Sequence, residues 1–127
     1  MANATAITVT ALTADAVATQ PTADVLDTGT SAVTLAADIG GAAGRVILEV
    51  TNAAAESLTV AVLAGDNPPA QRAGLGNLSA ALAQNATKVF GPFEGMRFLQ
   101  DDGKLNVTFT PGGTIDATVR CYKLPKA

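Results

Sequence analysis

Apolar and polar residues alternate with a period of two along most of this chain, while helical spacing is hard to find. Ile7, Val9 and Ala11 alternate with Thr8, Thr10 and Leu12, which predicts a first strand over 6–12. Further strands are predicted over 31–36, 45–52, 58–64, 78–82, 87–90, 96–100, 105–110 and 114–122. The clearest is 45–52, with Val46, Leu48 and Val50 on one face and Ile47 and Thr51 on the other. Asp101-Asp102-Gly103-Lys104 reads as a hairpin turn, because glycine supplies the positive φ that such turns demand. Residues 13–31 mix Ala, Thr and Asp with Pro21 and Gly29 and read as a surface-hugging arm, tacked down by Val17, Val25 and Leu26. Alanine permits a helix over 11–18, which the Thr and Val content weakens.

Eight to nine short antiparallel strands at this spacing predict an all-β, single-domain β-sandwich or jelly roll. The expected organisation is an N-terminal arm and first strand over 1–30, then the sandwich over 31–127. No internal repeat or second domain is visible.

The longest break in the alternation runs from Ala64 to Leu78 and holds three glycines and the pair Pro68-Pro69. Such a segment cannot continue a helix or sit inside a sheet, so it reads as a long loop projected from the β scaffold. Loops of this kind often carry function, and the Asp66–Asn77 stretch is either a contact surface or a plain connection. Pro68-Pro69 stiffens it and lowers the entropy lost on docking. Arg72 offers a planar fork suited to anchoring on a partner. The candidate partner-interface residues are therefore Ile7 and Val9 in the N-terminal segment, and Asp66, Asn67, Pro68, Pro69, Gln71 and Arg72 in the loop. Phe93 and Phe98 read as core and not as a sugar-stacking platform.

Composition narrows the function. The chain has no histidine, one cysteine, no tryptophan and a formal net charge of −3. General acid–base chemistry would have to rest on a strongly shifted carboxylate or lysine, and no carboxylate pair is singled out by spacing. Asp101 and Asp102 lie in a turn where solvation is expected. The scattered acidic residues lack the dense alternation of a calcium loop. No metal or cofactor is expected. Eight Lys and Arg are spread along the chain without forming a basic stripe, which argues against nucleic acid as a partner. No apolar run is long enough to span a bilayer, and no basic-plus-apolar leader opens the chain. Cys121 alternates with Ile115, Ala117 and Val119 on one face and is expected to be a buried, inert thiol. The residues thus describe a binding and assembly module, with no enzyme activity expected.

Three groups of residues carry a resemblance. They are Leu63-Ala64-Gly65-Asp66-Asn67-Pro68-Pro69, then Gly74-Leu75-Gly76-Asn77-Leu78, then Gly91-Pro92-Phe93-Glu94 with Arg97-Phe98, Gln100, Asp102-Gly103 and Leu105-Asn106-Val107. Together with the opening Ile7-Thr8-Val9-Thr10 and the closing Tyr122-Lys123-Leu124-Pro125, this pattern resembles small virion proteins of tailed bacteriophages, typically capsid decoration proteins. The resemblance implies a structural protein on the capsid exterior, made in the host cytoplasm. It would bind the major capsid protein and copies of itself as a homotrimer, bridging capsomers without contacting nucleic acid or membrane. A tail or head-fibre component, or a carbohydrate-binding adhesive sandwich, is the alternative. If the N-terminal segment up to Asp27 is an arm that grips neighbours, deleting 2–12 should leave the fold intact.

Overall fold

Nine strands in two sheets make up the computed structural model, which describes residues 3–41, 43–65, 76–93 and 98–125. In chain order they are β1 (Val9–Ala11), β2 (Asp24–Leu26), β3 (Val33–Ala37), β4 (Val46–Asn52), β5 (Leu58–Val62), β6 (Leu78–Leu82), β7 (Thr87–Phe90), β8 (Leu105–Pro111) and β9 (Ala117–Lys123). One 3-10 turn, Ala43–Arg45, leads into β4.

The topology is a single long hairpin folded over on itself. Antiparallel pairs form between β2 and β9, β3 and β8, β4 and β7, and β5 and β6, nested around the connection from β5 to β6. Alternate pairs fall in opposite sheets. One sheet runs β1-β9-β4-β7, with β2 also on β9, and the other runs β3-β8-β5-β6. This is jelly-roll order. β4 occupies one side of β9 over its whole length, so β1 and β2 share the other side end to end.

Each sheet turns one face inward. In β4 the inward set is Val46, Leu48, Val50 and Asn52, and in β8 it is Leu105, Val107 and Phe109, all fully buried. The inward residues of both sheets form one apolar cluster that includes Leu26, Leu35, Leu58, Val60, Leu82, Val119 and Cys121. Aliphatic side chains fill most of it, with Phe90, Phe93, Phe98 and Phe109 as the buried rings. Phe93 and Phe98 meet edge to face, their centroids 5.7 Å apart, the arrangement that ring quadrupoles prefer.

The predicted strands at 31–36, 45–52, 58–64, 78–82, 87–90, 105–110 and 114–122 match β3 to β9 to within a few residues. Two readings differ. Of the strand predicted over 96–100, residues 96–97 lie outside the described residues and 98–100 are not strand; Gln100 and Lys104 still close the Asp102-Gly103 turn through Gln100 N–H to Lys104 C=O at 3.0 Å, with Gly103 at φ 79°. The strand predicted over 6–12 is present as β1; the second difference lies at 24–26, read as part of the arm, which forms β2 on β9.

Candidate interaction surfaces

Residues 3–12 are stitched in by hydrogen bonds to 24–28 and to both sheets. Asn3 accepts from the backbone N–H of Asp27 and Thr28 at 2.9 and 2.8 Å, and its own amide donates to the Thr28 carbonyl at 2.8 Å. Ala4 N–H donates to Val25 C=O. Ile7 N–H reaches Ala36 C=O at 3.0 Å, and Ile7 bridges Ala37 in parallel, so the segment lies along the β3 edge. Two residues later it has crossed to the other sheet, where Val9 pairs with Cys121. Asp24 fixes this crossing: its carboxylate accepts from both the N–H and the hydroxyl of Thr8, at 2.6 and 2.9 Å. Of the interface candidates here, Ile7 is only 4% exposed and sits in the core, and Val9 is half-buried against it. Both side chains pack on the core that the two sheets enclose.

Between β1 and β2 the chain makes an excursion. Leu12 N–H is tied to Lys123 C=O at 2.8 Å, and Arg120 Nε–H holds the Pro21 carbonyl at 2.9 Å. Between those ties, residues 13–20 are all exposed, and Val17 is completely so. A shallow cleft of about 390 Å³ lies between residues 11–18 and Pro125, and no ionisable side chain lines it. The guanidinium that holds Pro21 also pairs with Glu49 at 3.5 Å. Both groups are partly solvated, so this pair orients more than it stabilises.

The base of the long loop is defined on both sides. Asn77 Oδ1 accepts from Ala64 N–H at 2.7 Å, and Gln100 donates its side-chain amide to Ala64 C=O at 3.0 Å. Gly65 packs so closely on the Leu99 backbone that a Cβ there would collide with the Leu99 carbonyl. The loop candidates Asp66, Asn67, Pro68, Pro69, Gln71 and Arg72 lie outside the described residues.

The outer faces of the two sheets differ in chemistry. On the β1-β9-β4-β7 sheet, register puts Val89, Glu49 and Arg120 in one row and Ile47 with Tyr122 in another. On the β3-β8-β5-β6 sheet the rows read Thr34, Thr108, Ala61, Ser79 and then Thr110, Thr59, Ala81, with Ala36 beside Asn106. No charged residue appears in those rows. The Thr34 and Thr108 hydroxyls bond each other at 2.8 Å, which rigidifies the face. Sequence reasoning passed over this surface, because each strand alone shows only ordinary polar outward positions; the absence of charge emerges when register aligns four strands.

Burial, and secondarily the charge of Asp24, pushes the Cys121 thiol up to about 12, so it is protonated at neutral pH. Among the described residues, no three Cys, Asp or Glu side chains converge as metal ligands would. Among them, too, no helix is long and apolar enough to cross a membrane.

Comparison with protein-family models, curated proteins and solved structures gave no match.

Proposed function

We propose that this chain is a structural virion protein that binds the outer surface of a phage capsid and stabilises the shell by bridging capsomers. The partners are the major capsid protein and two further copies of the chain in a homotrimer, without nucleic acid, membrane, cofactor or catalysis. The resemblance in residues 63–107 supports this reading. So does one structural observation above all, the four-stranded outer face of β3-β8-β5-β6 without a charge.

Docking such a face desolvates no ion, and its threonine hydroxyls can exchange water for partner groups at small net cost. The strands beneath it are fixed by two sheets, so little order must be imposed on binding. Three copies around one axis multiply a weak contact, since the second and third attachments become intramolecular.

Co-sedimentation of the purified protein with expanded shells of the encoding phage tests the reading. Thr59→Lys and Thr110→Lys each place a charge on this face at exposed positions. Each should weaken attachment about tenfold or more, a loss of ~1.4 kcal/mol, with circular dichroism unchanged. Unchanged attachment of both variants would contradict the assignment of this face. Saturable glycan binding without shell attachment would replace the whole reading with an adhesive module.

A further inference from the structure

A jelly roll has four sheet edges, and among the described residues three of them are guarded. At β3, Ile7 lies alongside and takes the Ala36 carbonyl. β9 is covered by β1 and β2. On β7, Lys88 occupies the core-facing side opposite Val50 yet remains exposed at the rim, and Gly91-Pro92 ends the strand. Inward-pointing lysines and prolines are the usual means of stopping one sheet edge from pairing with another. β6 has none of these. Its sequence is Leu78-Ser79-Ala80-Ala81-Leu82, without charge or proline, and no described strand pairs with its outer side. Leu78 stands 37% exposed at its start.

The same chain displays an irregular segment with free backbone groups. Ala16-Val17-Ala18-Thr19-Gln20 is exposed throughout and makes no hydrogen bond, and Val17 projects wholly into solvent. It carries no charge, and its five residues match the five of β6. Leu12 and Pro21 are tethered on either side, so the segment is presented at a fixed place. Burying it on β6 would pair backbone groups that now meet only water. It could also cover two of the four large apolar residues exposed among the described positions, Val17 and Leu78.

The two halves cannot meet within one molecule. The segment emerges on the side of the sandwich formed by β1, β2 and β3. β6 and β7 lie at the opposite ends of both sheets. We propose that residues 16–20 of one copy add as a strand to the β6 edge of a second copy of this chain. The occupant is a second copy because neither element carries a charge and the donor is held out by the fold itself. Strand addition of this kind draws its affinity from main-chain hydrogen bonds. The contact is heterologous, so it closes into a ring or grows head to tail. It gives the proposed trimer a contact, but it depends on the strand edges and not on capsid binding. A monomer in solution would sink strand addition and leave shell attachment to be judged separately.

Sedimentation equilibrium of the full chain, without shells, is the test. Wild type should show species at multiples of the chain mass. Ala18→Pro removes a ladder donor from an exposed segment that bonds nothing. It should raise the dissociation constant at least about tenfold with an unchanged circular dichroism spectrum. Val17→Lys should do the same, and guards against a proline that merely distorts the excursion. The double variant Ser79→Lys, Ala81→Lys guards the β6 edge instead and should also dissociate. Mixing it with Ala18→Pro should then restore a dimer and nothing larger, since each supplies the half that the other lacks. A wild type that stays monomeric up to its solubility limit would overturn the proposal. So would an oligomer that Ala18→Pro and Val17→Lys leave untouched, or a mixture that fails to associate.

Discussion

The side-chain amide of Asn52 donates to the carbonyl of Leu82 at 2.9 Å, joining the end of β4 to the end of β6. Asn52 is the one fully buried polar residue among those described, and the same amide reaches Glu56 C=O at 3.0 Å while Oδ1 accepts from Ala54 N–H at 3.1 Å. Its backbone also bonds residues 85 and 86, so one side chain and its peptide clamp two connections together. Replacing it with leucine takes a partner from the Leu82 and Glu56 carbonyls and from the Ala54 N–H. Each group left unpaired costs about 1–3 kcal/mol, so Asn52→Leu should lower unfolding stability by roughly 3 kcal/mol in urea titration. A change under half a kilocalorie would mean that water replaces these bonds.

The N-terminal segment should prove indispensable to the fold. Ile7 is 4% exposed and spans the two sheets, and Thr8 holds Asp24. Ile7→Ala should cost about 2–4 kcal/mol, as cavity-forming core truncations do. Deleting 2–12 should abolish the cooperative thermal transition. A deletion variant that melts like wild type would restore this segment to the role of a free arm.

Gly65 sets how the long loop leaves β5. Because a Cβ there meets the Leu99 carbonyl, Gly65→Ala must push residues 63–65 away from 98–100. The Gln100-to-Ala64 hydrogen bond should then weaken, with a stability loss of about 1–3 kcal/mol. Amide exchange at Lys104 and Gly103 should quicken in the variant, while exchange in β4 and β9 stays slow.

Cys121 predicts an alkaline limit. Its folded pKa of about 12 exceeds the ordinary thiol value of 9.0, so the folded state holds a proton that the unfolded state releases. This contribution is therefore complete below pH 9 and drains as pH rises from 9 toward 12, by ~1.4 kcal/mol per pH unit. Comparing Cys121→Ala with wild type isolates the thiol from the lysines and Tyr122. The variant should lose less stability between pH 8 and 10.5 than wild type does. Equal slopes would show that the thiolate is accommodated in the fold. At pH 8 the native thiol should also resist a disulfide reagent until denaturant is added.

Much of the architecture was readable because burial of one sheet face writes itself into alternate residues. Val46, Leu48 and Val50 announce β4, and Leu105, Val107 and Phe109 announce β8. What escaped reading has no local mark. β2 is three residues long, and its place depends on Asp24 finding Thr8 sixteen positions away. The parallel pairing of Val9 with Cys121 joins distant parts of the chain. Residues 98–100, read as the end of a strand over 96–100, are not strand, and the Phe98 ring instead meets Phe93 edge to face. The candidate surface was legible least of all. A face without charge exists only once four strands are in register, and an unguarded edge only once the neighbours of the other edges are known.

The proposed role on a phage capsid is tested most directly by quantifying this chain against the major capsid protein in purified virions. The account predicts a fixed stoichiometry that covers the shell, with the chain removed together with the outer surface when virions are stripped. A copy number matching a single vertex or the tail, or absence from the particle, would contradict it.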